Sequence, residues 1–94
     1  KKLNLDITLD DIYKLYQLQE GKCALSGIKM TTYSYNRTEE EKHIINPLNI
    51  SVDRIDSTKG YSKDNIQLVC AQINRMKSDL TDNDFINFCY IITF

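Results

Sequence analysis

Between Ser51 and Cys70 the sequence reads "SVDRIDSTKGYSKDNIQLVC", which gathers Asp53, Arg54, Asp56, Lys59, Tyr61, Lys63 and Asp64 in one short span. Carboxylates are hard oxygen donors suited to Mg²⁺ or Mn²⁺, and an Arg fork clamps phosphate oxygens. Asn74, in the following "INRMK", adds an amide oxygen. If Asp53 ends a strand and Asn74 lies on the next helix, a compact unit can bring the two oxygens together. Mg²⁺ often takes only one or two protein groups, keeping the rest of its shell for water and substrate phosphate. A plainer reading stands beside this one: Asp53 and Asp56 pair with Arg54 or Lys59 on a solvated loop, where ion pairs contribute little.

Either reading depends on the elements that bracket the loop. "LNISVDRI" alternates through Ile50, Val52 and Ile55, so it reads as a strand ending near Asp53 or Arg54, and "NIQLV" reads as a second strand. Gly60 marks the turn between them. From about Cys70 to Ser78 the chain lacks Gly and Pro and spaces Ile73 and Met76 by a helical interval, so a helix follows. Upstream, Thr8 with Asp11 forms a capping pattern ahead of Leu9, Ile12, Tyr13 and Tyr16, and Gly21 supplies a stop. Downstream, Thr81 with Asp84 repeats that pattern, and Phe85, Ile86, Phe88, Cys89 and Ile92 supply the apolar face of a last helix. "KCALSGIKMTT" reads as a hairpin or an irregular loop turning at Gly27, and the stretch from Tyr33 to Asn49 reads as an exposed excursion.

Composition limits the functions such a unit can serve. At 94 residues the chain is one small domain, residues 1–94, with 41% apolar and 27% charged residues in ordinary soluble proportions. It has no signal-peptide core and no apolar run long enough to span a bilayer, so no membrane partner is expected. A net charge of -1 argues against a binder that relies on bulk basicity, so if phosphate is the target the positive charge must be local. Three cysteines, Cys23, Cys70 and Cys89, form no disulfide framework and point to an intracellular, reducing compartment. The opening Lys1 without Met points to an excised domain.

"SVDRIDSTKGYSKDNIQLVC" followed by "INRMK" resembles the ββα-metal motif of HNH (His-Asn-His) endonucleases. The likeness is to the subgroup of phages and large DNA viruses in which "DRID..KGY...N" replaces the commoner "DHI...GG...N". "GKCALSGIKM" is similar to the segment that precedes the motif there. The resemblance covers about Thr8 to Leu80, with the core motif at residues 48–80. It implies a small α+β domain built on a central ββα-metal unit with flanking N- and C-terminal helices. It further implies metal-dependent hydrolysis of DNA phosphodiesters, with Asp53 and Asn74 on Mg²⁺ or Mn²⁺ and Asn65 holding the loop in shape. Arg54, Lys63, Arg75 and Lys77 become contacts to DNA phosphate. Within a virus-infected cell the compartment would be the host cytoplasm or nucleus. A catalytic module of such low charge would borrow affinity from another domain or a second copy, because few phosphate contacts bind weakly.

The departure from the family pattern is Arg54, which stands where the typical motif has a proton-accepting His. Arg stays protonated, so it suits a phosphate clamp and not a general base. Three sources of the base remain: Tyr61, whose reference pKa of about 10 requires lowering; His43, the single histidine; or solvent and the substrate phosphate. The paired Cys-x-x-Cys knuckles of many HNH domains read here as "CALS" and "CAQI", so half the ligands of a structural zinc are missing, and Cys23, Cys70 and Cys89 are expected as small buried hydrophobes. Two rival functions are a nucleic-acid-binding module on the same fold without catalysis, and a protein-interaction domain.

Overall fold

The alternation around Ile50 and Val52 produces a strand, β2 (Ile50–Arg54), which pairs antiparallel with β4 (Ile66–Cys70). The register sets Ile50 opposite Cys70, Val52 opposite Leu68 and Asp53 opposite Gln67. The computed structural model describes residues 5–32 and 46–93. Of the excursion expected from Tyr33 to Asn49, residues 33–45, His43 included, lie outside the described residues, and its end is not exposed throughout, because Asn49 is buried and bridges to Thr31. The described chain is a small α+β domain with three helices and the β2–β4 pair at its centre. A second two-stranded ladder, β1 (Leu5–Asp6) parallel to β3 (Tyr61–Ser62), ties the N-terminal segment to the loop.

Helix α1 (Leu9–Leu18) begins with a full capping box: the Thr8 hydroxyl accepts from Asp11 N–H at 3.2 Å and Asp11 accepts from Thr8 N–H at 3.0 Å. It stops at a turn through Gly21, whose φ of +70° suits a residue without Cβ. Its inward stripe is Ile12, Leu15 and Tyr16, packed on the core. Leu9 and Tyr13, expected on that stripe, are exposed. The "KCALSGIKMTT" stretch makes a tight turn closed by an antiparallel bridge from Lys22 to Lys29.

β4 is the centre of the packing. Leu68 and Val69 are fully buried and join Cys23, Cys70 and Met30 in the core, against Ile50, Val52 and Ile73. At Leu68, β4 is extended by a side chain that mimics a strand: Gln19 donates to Leu68 O at 2.8 Å and accepts from Leu68 N–H at 3.0 Å. The neighbouring Ala24 N–H also donates to Leu68 O at 2.9 Å.

Helix α2 (Ala71–Lys77) starts directly where β4 ends. Two of its unsatisfied N-terminal donors find carbonyls in the segment entering β2, Ala71 N–H to Asn49 O at 2.8 Å and Gln72 N–H to Pro47 O at 3.0 Å. That anchors the helix against the strand it must face. Helix α3 (Asp82–Thr93) follows, with the Thr81 hydroxyl accepting from Asp84 N–H at 3.1 Å. Here the expected apolar face does not pack: Phe85 is buried, whereas Ile86, Phe88 and Ile92 are exposed and Cys89 is half-buried. Only the first turn of α3 reaches the core, and helical periodicity in a sequence does not say what the face will meet. Among the described residues no helix is long and apolar enough to cross a membrane.

Candidate functional site

β2, β4, α2 and the start of α3 converge on Asp53. The residue is only 3% exposed, and Oδ2 accepts from Lys77 Nζ at 2.6 Å and from Gln67 Nε2 at 2.9 Å. Gln67 is there because the antiparallel register puts it directly across from Asp53 on the same face. Lys77 arrives from the last turn of α2, and its ammonium also binds Asp82 Oδ1 at 2.8 Å and the Arg54 carbonyl at 3.1 Å. Burial alone would lower the Lys77 pKa, but the hydrogen bonds it donates to Asp53 and Asp82 outweigh that and raise the value above the ordinary lysine range.

This corrects the expectation for Lys77. At 1% exposed and fully bonded, it is not a phosphate contact on a solvated helix face. The spacing held the signal: Lys77 lies three positions after Asn74, so the two share a helix face and turn inward together.

Asn74 is fixed one turn earlier on α2. Its Nδ2 donates to Ser51 Oγ at 2.6 Å and to Val52 O at 3.2 Å, so the amide is bolted to β2 at the two residues before Asp53. Its orientation is thereby set. Among the described residues, neither Asn74 Oδ1 nor Asp53 Oδ1 accepts a hydrogen bond, although every other polar atom of these two side chains is engaged. Both are hard oxygen donors of the kind that small divalent cations take, although among the described residues no three or more His, Cys, Asp or Glu side chains gather into a metal-binding group.

The loop between β2 and β4 is held from inside by Asn65, which is buried. Its Oδ1 accepts from Asp56 N–H at 2.9 Å, and its Nδ2 donates to Asp56 O at 3.0 Å and Gly60 O at 2.9 Å. Asp56 caps its own turn by accepting from the Thr58 hydroxyl at 2.6 Å and from Thr58 N–H at 3.0 Å. Those bonds, the hydroxyl's first, lower its pKa below the usual carboxylate range. Arg54 Nη1 donates to Ser57 O at 2.8 Å and Lys59 O at 3.1 Å, and the guanidinium lies 5.3 Å from the centre of the Tyr61 ring. Nη2 and Nε make no hydrogen bond among the described residues. Arg54 is therefore braced along one edge with the other left over, and Tyr61 sits beneath it.

The expected phosphate contacts separate in space. Arg75 is exposed on α2. Lys63 borders a shallow depression with Asp11, Lys14 and Ile66. Ile66 alternates with Gln67 along β4, which groups Lys63 with α1 and not with Asp53.

Ser51, Gln67 and Asp82 escape the reading of the sequence. Gln67 could be found from the strand register once the loop length is known, while Asp82 carries no local signal. The Cys23 and Cys70 thiols are buried side by side. Burial first, and then the neighbouring Cys23, push Cys70 up. Burial also opposes ionisation of Cys23, but the Ser26 hydroxyl and nearby backbone groups outweigh it and bring that thiol down. Comparison with protein-family models, curated proteins and solved structures gives no match to this chain.

Proposed function

We propose that the chain is a metal-dependent endonuclease that hydrolyses DNA phosphodiesters, with Asp53 and Asn74 holding Mg²⁺ or Mn²⁺. One observation carries this reading: Asp53 and Asn74 are pinned by all their polar atoms except one oxygen each, on the facing elements β2 and α2. The order strand, loop, strand, helix and the resemblance of "DRID..KGY...N" to the ββα-metal motif support the same reading.

In this account Arg54 contacts a non-bridging phosphate oxygen through the edge that its loop carbonyls leave free. Asn65 keeps the loop closed, so the backbone that carries Arg54 and Tyr61 does not drift relative to Asp53. Tyr61, under the guanidinium, is the proton acceptor nearest to Arg54 among the candidates within the described residues. A divalent ion, when bound, supplies electrostatic stabilisation of charge developing on the phosphate oxygens.

A second reading is favoured by a specific observation. Lys77 already neutralises Asp53, and Arg54 stands where a base would be, which is also what a nucleic-acid-binding module without cleavage would show. Nicking of supercoiled plasmid separates the two. With Mg²⁺ or Mn²⁺ the parent should nick, EDTA should abolish nicking, and Asp53→Ala should reduce the rate by about 100-fold or more. Tyr61→Phe run beside it tests the proton acceptor. A shifted but intact plasmid under every ion would replace the nuclease with the binding module, and neither shift nor nick would leave the interaction domain.

A further inference from the structure

The buried ammonium of Lys77 has a job that neither the metal site nor ordinary packing explains. Lysine is almost never fully buried unless paired. Here its three protons meet three oxygens from two elements: Asp53 Oδ2 and the Arg54 carbonyl of β2 at 2.6 and 3.1 Å, and Asp82 Oδ1 of α3 at 2.8 Å. Gln67 Nε2 spans the same two carboxylates, at 2.9 Å from Asp53 and 3.1 Å from the nearer Asp82 oxygen. Two carboxylates and a carbonyl converging on one point form the kind of oxygen cage that binds a free cation. The chain fills that cage with its own side chain.

We infer that Lys77 is a tethered cation: its ammonium occupies an oxygen cage formed by Asp53, Asp82 and the Arg54 carbonyl, pins Asp53 through Oδ2, and denies the cage to a free metal ion. The pinning of Asp53 toward a metal rests on the proposed function; the cage and its occupant do not. Lys77 is thus a positioning residue that acts through Asp53. Asp82 makes α3 a wall of the cage, which ties the placement of α3 to the orientation of Asp53.

The test removes the tether and offers the cage loose cations. Lys77→Ala should melt at a lower temperature than the parent, and methylammonium chloride, which replaces the lost end of the side chain, should raise that temperature by several degrees. Equal concentrations of sodium chloride or tetramethylammonium chloride should not. The parent and Lys77→Met, whose thioether fills the cage, should not respond to methylammonium. By calorimetric titration below the melting range, Lys77→Ala should bind one more equivalent of Mn²⁺ than the parent, and Lys77→Met no more than the parent. If the parent binds no Mn²⁺ while Lys77→Ala binds one, the proposed metal site fails and the cage stands. If Lys77→Ala neither recovers with methylammonium nor gains an ion, or cannot be refolded in the presence of either, the tethered-cation role is overturned whatever the parent does.

Discussion

The face built by β2, β4 and α2 and the outer face of α3 invert the usual distribution of side chains. In the first, Asp53, Asn65 and Lys77 are buried and each is multiply bonded. In the second, Phe88, Ile91 and Ile92 are exposed, Ile92 to 84%, although periodicity would have put part of that face in a core. Burying polar groups costs free energy unless each is paired, so a buried polar cluster persists where its geometry is of use or where its partners fully compensate it. Exposed apolar residues are common on folded proteins and carry no such implication by themselves. The difference locates the specific part of this molecule at the junction of β2, β4 and α2, with α3 contributing its first turn.

Paired substitutions sharpen the contrast. Leu68→Ala, at a position with no exposure, should cost about 2–5 kcal/mol in urea unfolding. Ile92→Ser should stay within about 0.5 kcal/mol. Equal losses at the two positions would mean that the outer face of α3 is packed after all.

Asn65→Ala comes next in size. It leaves Asp56 N–H and the carbonyls of Asp56 and Gly60 without their partner, for an expected cost of about 1–3 kcal/mol. A variant as stable as the parent would show that the loop is held by something other than Asn65.

The smallest expected effect is on the acid side. Asp56 has a folded-state pKa below its unfolded value of about 3.9, so its contribution is fully present above that value and is lost as pH falls through the lowered one. Because Asp56 is exposed, the contribution is small. Lys77 has the opposite sense. Its folded pKa is raised, so its contribution holds below about 10.4 and is lost only as pH climbs through the higher folded value. Neither group titrates near neutrality. A melting temperature followed from pH 9 to pH 3 should be flat with respect to both until it drops below about pH 4, and Asp56→Asn should shrink that drop.

What the sequence makes legible here is local. Thr8 with Asp11, Thr81 with Asp84, and the alternation through Ile50 and Val52 each act within a few residues, and the structure has a helix or strand at each. The burial of Lys77 was masked by its charge, which reads as solvent-facing until Asp53 and Asp82 are seen around it. The β1–β3 pairing rests on two residues from each strand, too short for any periodicity. Gln19 acts as part of β4 through contacts far away in the chain, and polar composition gives no hint of that. The apolar pattern of α3 is visible in the sequence, but local periodicity does not tell which of those residues pack, and of them only Phe85 is buried.

The proposed metal site requires Asp53 Oδ1 and Asn74 Oδ1 to hold a divalent cation together. Thermal denaturation with and without Mn²⁺, each variant compared with its own metal-free baseline, measures this without requiring catalysis. At about 100 times the dissociation constant, binding to the folded state adds about 2.7 kcal/mol. For a domain of this size that is a rise on the order of 10 °C. The parent should show such a rise, and Asp53→Ala and Asn74→Ala should each lose it. No rise in the parent, or an undiminished rise in Asn74→Ala, would contradict the site.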